Sequence, residues 1–312
     1  MLKKAFPYCL LITVAFIAPL YCCAQQMDTG SIFRLPISLD TFVLKSGFDV
    51  NAFIRRVQTD TTFYKAFKST HLVPYGAVTD FHVFDKNGEV VATYDSKTEQ
   101  VRDKGCRTTK VLEQKSTGDF FKRNGEYNYY TAGLFAHLFF ATTPVCGEND
   151  IVAGSLNVRP EGQMAKSEYE LKQLIFNPGS KVSGVPFMGD RASIFEQSEA
   201  EKYNFKVTVD TSGGQECYVF SITPKQGYEH SVIYDELITW FRKSDYSIVA
   251  RNYTLSYHTM VYDFDVRMKV RTKQIGDKLY PTSIDYDGNW HVFTKKRERV
   301  KMSMVISYPQ TP

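Results

Sequence analysis

Two aspartates, Asp263 and Asp265, stand two residues apart in the stretch VYDFDVRMKVRTK. On an extended strand that spacing puts both carboxyls on one face, about 7 Å apart. Glycosidases work with such pairs, at about 5–5.5 Å for retention and about 6.5–9.5 Å for inversion, so the spacing alone is permissive. The same face, however, continues through Arg267, Lys269 and Arg271. Acids and bases sharing one wet face are the pattern of cross-strand ion pairing, and that is the expectation here.

The histidines offer no better chemistry. His137 lies in an apolar stretch whose positions four residues away, Gly133 and Ala141, supply no second metal ligand, so it is expected as a core or half-buried side chain. His230 follows Glu229 in a turn, and His258 and His291 fall at strand ends. Asp85, Asn87 and Glu89 have the alternate spacing that opens a calcium loop, but Ser96 stands where the closing acid belongs. Asn87-Gly88 reads instead as a two-residue hairpin turn. Gly184 and Gly189 lack the residues of a phosphate loop. There is no Gly-x-Ser-x-Gly, His-Glu-x-x-His or Cys-x-x-Cys. Lys295, Lys296, Arg297 and Arg299 form a charge run broken by Glu298, read as a solvated hairpin loop. No metal and no cofactor are expected.

The elements that would position these residues are mainly strands. In Val261 to Lys273 the side chains of Tyr262, Phe264, Val266, Met268 and Val270 point one way and the charged residues the other. From Tyr203 onward, eight such segments joined by short polar turns predict an antiparallel meander, with Pro281 at an edge or bulge. Upstream, Asp49 and Asp60 are candidate caps for two short amphipathic helices, and the hairpin around Asn87-Gly88 follows. Tyr129 to Ala141 predicts an apolar helix too short to cross a bilayer, and Ser167 to Phe176 a second one stopped by Asn177-Pro178-Gly179.

The chain opens with two lysines, a long apolar core and small residues before Gln25, which predicts a signal peptide at 1–24. An uncleaved anchor and lipidation at Cys22 or Cys23 are the alternatives. After cleavage no transmembrane segment is expected, and the near-neutral charge balance gives no argument for nucleic acid. Cys106, Cys146 and Cys217 remain. Cys106 and Cys146 flank the apolar helix in loop-like surroundings and are the expected disulfide, with Cys217 packed as a small hydrophobe. Two regions are expected, an N-terminal α+β region at 25–160 and a C-terminal sheet at 161–312.

The helix ending at Phe176, the connection FNPGSKVSGVPF and the strands in ITWFRKSDYSIVARNYTL together resemble the LolA-like, lipoprotein-carrier type of half-barrel protein over residues 167–308. The CAQQ exit of the leader is similar to those of exported Bacteroidetes proteins. The resemblance implies a periplasmic carrier-type fold and transfers no individual functional residue.

The sequence therefore reads as an exported α+β protein, periplasmic, outer-membrane-associated or extracellular. Most of it is a curved antiparallel sheet of half-barrel type with a few covering helices. The expected role is binding or scaffolding, with an apolar, lipid-like ligand or a cell-envelope protein as partner. Tyr262, Phe264, Val266 and Met268 are the candidate lining of that ligand face, with core packing as their competing role. The alternative is a secreted hydrolase assembled from distant His and Asp or Glu residues, whose mark would be a cleft joining a histidine to a carboxylate. An outer-membrane barrel would suit the aromatics but not the helical N-terminal half.

Overall fold

Alternating apolar and polar residues between tight polar turns make antiparallel strands, and this pattern accounts for most of the chain. The computed structural model describes residues 37–39, 48–150, 174–180, 191–260, 262–292 and 296–309. The expected signal peptide, the glycines Gly184 and Gly189, and most of the helix expected before Phe176 lie outside the described residues. The strands are β1 (Ile37–Leu39), β2 (Tyr75–Phe84), β3 (Val90–Asp103), β4 (Cys106–Thr117), β5 (Val145–Cys146) and β6 (Tyr203–Ser212). They continue as β7 (Gln215–Pro224), β8 (Tyr234–Arg242), β9 (Ile248–His258), β10 (Tyr262–Ile275), β11 (Lys278–Val292) and β12 (Glu298–Ser307). Together they form one open sheet in the order β1-β6-β7-β8-β9-β10-β11-β12-β2-β3-β4-β5. All described pairings are antiparallel except β1 with β6.

The fold class matches the expectation: a largely antiparallel open sheet with few helices. Details differ for physical reasons. Two expected strands on either side of Gly288 are one long strand, β11, because Gly288 continues the ladder opposite Val266 and Val300. A Cβ at Gly288 would collide with the Tyr286 ring, which lies along the strand there. Pro281 sits at the register shift between Arg271 and Thr272, where a missing N–H costs the ladder least. The polar stretch after Asp95 also joins the sheet, as the rest of β3 and all of β4. From Lys110 to Thr117 every residue of β4 is exposed, so both faces are wet and apolar alternation is missing.

Besides the helical residues 174–176, the helices are α1 (Val50–Thr59), α2 (Thr62–Ser69), α3 (Tyr130–Phe139) and the short α4 (Gln197–Ala200), with a 3₁₀ turn at Thr70–Leu72. Asp49 caps α1, accepting from the Ala52 N–H at 2.9 Å, and Asp60 accepts from the Thr62 N–H at 2.8 Å as α2 begins. The Asn87-Gly88 hairpin forms, with Gly88 at φ 88°. Asp85 accepts from the Asn87 and Glu89 N–H groups, an Asx-type turn. Cys106 and Cys146 face each other across β4 and β5 and are joined by a disulfide, while Cys217 is free and buried.

Candidate binding face

One face of the sheet, the inner face, carries the apolar positions. On β10 these are Tyr262, Phe264, Val266, Met268 and Val270, in strict alternation with exposed or half-exposed charged residues. The registers extend each position into a row across the strands. Phe264 stands between Tyr257 and Trp290, and Met268 between Tyr253 and Tyr286. The four candidate lining residues are thus on one face, as the period of two dictates. All four are buried: Tyr262 is 6% exposed, Val266 1%, and Phe264 and Met268 0%.

Short pieces of chain cover this face. Phe53 of α1 meets Phe220 and Phe241 edge-on. On α2, Phe63 packs against Tyr253 and beneath the Arg251 guanidinium, 4.3 Å from its ring centre. Phe135 of α3 touches Phe81, Tyr286 and Phe176. The segment 174–180 is pinned by two tyrosines of the sheet. Tyr253 donates its hydroxyl to the Ile175 carbonyl, and the Tyr234 hydroxyl accepts from the Gly179 N–H at 2.8 Å. Both ends of α3 are held by side chains from strands. Glu298 accepts from the Tyr130 and Thr131 N–H groups at 2.6 and 3.0 Å, and Tyr75 donates to the Phe139 carbonyl at 2.8 Å. A carboxylate on the first N–H groups of a helix also meets the positive end of its dipole.

The inner face changes character toward β2 and β3. Between the large inward residues Tyr75, Phe81, Val83 and Tyr94 stand Ala77, Thr79, Ala92, Ser96, Thr98 and Gln100, small or polar yet all at most 5% exposed. Gln100 is fully engaged, donating to the Thr70 and Val73 carbonyls at 2.7 and 2.6 Å. Beside it Arg107 is closed by Glu148 at 2.7 Å, and Glu148 also meets His71 Nδ1 at 2.9 Å. Burial pushes the Glu148 carboxyl up, but the hydrogen bonds and charges of His71 and Arg107 outweigh it and hold the group at about 2. Glu148 is therefore an ion-pair clasp beside the disulfide.

The outer face holds a second set of titratable groups. His258 contacts Asp263 at 2.7 Å and Asp265 at 3.5 Å, and Arg297 closes on Asp263 from the β11–β12 turn. Burial acts to raise the Asp263 carboxyl, yet His258 and Arg297 leave it below the usual range. The paired aspartates are thus tied into surface ion pairs. His82 contacts Asp80 at 3.1 Å, and burial together with neighbouring Asp95 raises Asp80 against the pull of His82. These histidine–carboxylate contacts involve open surface side chains: His258 is 59% and His82 40% exposed. His137, expected as a core or half-buried side chain, is on the exposed side of α3, because a ten-residue helix lying on a sheet still turns one flank outward. Among the described residues no group of three or more His, Cys, Asp or Glu side chains is placed to hold a metal, and no helix is long and apolar enough to cross a membrane.

Sequence reasoning missed Thr79, Thr98 and the buried Arg251. The signal was available for Thr79, as an inward hydroxyl in the alternation Tyr75, Ala77, Thr79, Phe81, Val83. Ser96 entered only as the residue where a calcium loop would need an acid.

No protein-family model matches the chain, and no curated protein matches it. Solved structures do. One is named as an outer membrane lipoprotein-sorting protein domain from Vibrio parahaemolyticus, at 12% identity over 84% of this chain and 92% of that one, with a TM-score of 0.28. A DUF1329 family protein from Desulfovibrio piger ATCC 29098 matches at 12% identity with the same coverages and a TM-score of 0.23. Lipovitellin, solved for its lipid–protein interactions, matches at 10% identity over 77% of this chain and 26% of its own length, with a TM-score of 0.25.

Proposed function

We propose that this chain is an exported binding protein whose covered inner face takes an apolar, lipid-like ligand. The observation that supports this reading is how the face is covered. The sheet's own ladders run from β1 to β5 without help, and its apolar side is closed by separate short pieces, α1, α2, α3 and 174–180, drawn from distant parts of the chain. At 174–180 the pins are two hydroxyl-to-backbone hydrogen bonds, each contributing about 0.5–1.5 kcal/mol net, whereas the C-terminal end of α3 is held by Tyr75, His71 and Thr109. Apolar area released when such a piece lifts is about 25 cal/mol per Å², and an alkyl chain lying on the face recovers it. A cover that moves while the sheet stays intact is the mechanical requirement for loading a water-insoluble molecule. The disulfide Cys106–Cys146 supports an oxidising compartment outside the cytosol. The test is native mass spectrometry and solvent extraction of protein purified from its own host. Mass above that of the bare chain, released as an apolar molecule, supports the reading. A bare chain that also fails to bind the fluorophore N-phenyl-1-naphthylamine leaves only a scaffold.

A further inference from the structure

Resting on that reading, we infer that the inner face recognises the polar end of its ligand at Thr79, Ser96 and Thr98, and that this end is a neutral hydrogen-bonding group such as an ester carbonyl. The three side chains are 1%, 5% and 3% exposed. Thr79 and Ser96 are directly opposite one another across β2 and β3, and Thr98 is the next inward residue on β3, opposite Ala77. The Thr79 and Thr98 hydroxyl oxygens are wholly buried and make no hydrogen bond to any protein group, and the buried Ser96 hydroxyl has only the Tyr94 phenol within reach. Ser96 lies beside the Tyr94 phenol, which itself donates to Gln114.

Leaving a buried hydroxyl unsatisfied costs roughly 1–3 kcal/mol, and an alanine or valine would avoid it. Two at adjacent inward positions, Thr79 and Thr98, with Ser96 beside them, are a concentrated cost in an otherwise apolar face. Neighbouring polar groups do not share this condition, since Gln100 and Arg107 are matched as described above. The closed Arg107–Glu148 pair leaves no spare charge there, so the hydroxyls suit an uncharged acceptor and not a carboxylate. Their location also fits an entrance. Thr98 is opposite Val111 and Ser96 opposite Gln114 on β4, where Val111 is 47% and the adjacent Leu112 53% exposed. In the other direction the registers continue the row from Ser96 and Thr79 to Met304, Ile284 and Val270. Four strand spacings of about 4.8 Å make that row about 19 Å long, apolar after its first two members. An alkyl chain laid along it has its polar end at the hydroxyls and its tail under the helices.

The experiment uses the whole mature chain and the doubly substituted Thr79→Val/Thr98→Val protein. Hexadecyl acetate, hexadecanoate and hexadecane each compete with N-phenyl-1-naphthylamine, and melting temperature is read without ligand. The wild type is expected to prefer the acetate over both others by about tenfold, the worth of one or two net hydrogen bonds. The double variant is expected to lose most of that preference, to keep its affinity for the fluorophore, and to melt at or above the wild-type temperature. Thr79→Ser, which keeps the hydroxyl, is expected to keep the preference. Equal ester preference in wild type and double variant, or preference for hexadecanoate, overturns the inference while the binding face survives. If the fluorophore binds neither protein, the proposed function falls and the inference with it. Should the double variant fail to fold, Thr98→Val alone decides by the same ratio.

Discussion

Two parts of the same inner face are equally buried and unequally satisfied. Across β9, β10 and β11 the inward residues are large: Tyr253, Leu255, Tyr257, Phe264, Val266, Met268, Ile284, Tyr286 and Trp290, all at most 4% exposed. The hydroxyls of Tyr253 and Tyr286 have partners, the Ile175 carbonyl and the Trp290 indole N–H. Across the middle of β2 and β3 the inward residues Ala77, Thr79, Ser96 and Thr98 are small, and the Thr79 and Thr98 hydroxyls have no protein partner. Burial is imposed by what lies over a strand, whereas satisfaction depends on what the side chain can reach. The first part has the satisfied contacts of a core; the second is where the polar end of the proposed ligand would sit. Satisfaction of hydrogen bonds distinguishes the two parts where exposure, the same in both, does not.

The largest effect should come from emptying the packed part. Phe264→Ala removes a ring that touches Tyr257 and Trp290 and is expected to cost about 3–5 kcal/mol, read by urea denaturation. A loss below about 1 kcal/mol would mean the ring faces open space and the contrast is false. Next is the disulfide beside the hydroxyl part. Cys106 and Cys146 are 40 residues apart, so Cys106→Ala/Cys146→Ala should cost about 3–4 kcal/mol in the chain-entropy account. Because Arg107 and Glu148 adjoin the bridge in sequence, local opening near β4 and β5 should exceed any change at β10, which hydrogen exchange would resolve.

A smaller effect is expected from pH. The folded Glu148 carboxyl is held at about 2, below its ordinary value of 4.5. Its stabilisation is therefore fully present above about pH 4.5 and is lost as pH falls toward 2. With solvent screening the loss should be on the order of 1–2 kcal/mol. Glu148→Gln should flatten that part of the stability curve; an unchanged slope would remove the clasp from the account.

Much of the packed part was legible in the sequence. Tyr262, Phe264, Val266 and Met268 announce their shared face because large apolar residues alternate with charges over a long strand. The β3–β4 hairpin was not legible, since Lys110 to Thr117 are wet on both sides and a strand with no buried face has no apolar period. The hydroxyl positions escaped for a related reason. Thr and Ser sit comfortably on either face of a sheet, so the alternation around Thr79 marks its face, but only the registers joining it to Ser96 and Met304 show which residues share that face. His137 was misplaced because an all-apolar helix does not tell which flank meets the sheet.

The central claim is that a ligand enters beneath a movable cover while the sheet stays intact. Hydrogen exchange with and without saturating N-phenyl-1-naphthylamine tests it most directly. Without probe, amides in 174–180 and α3 should exchange faster than those of β9 to β11, and probe should slow them without altering the outer-face turns. Equal protection of cover and strands, with no amide changed by the probe, would contradict the account.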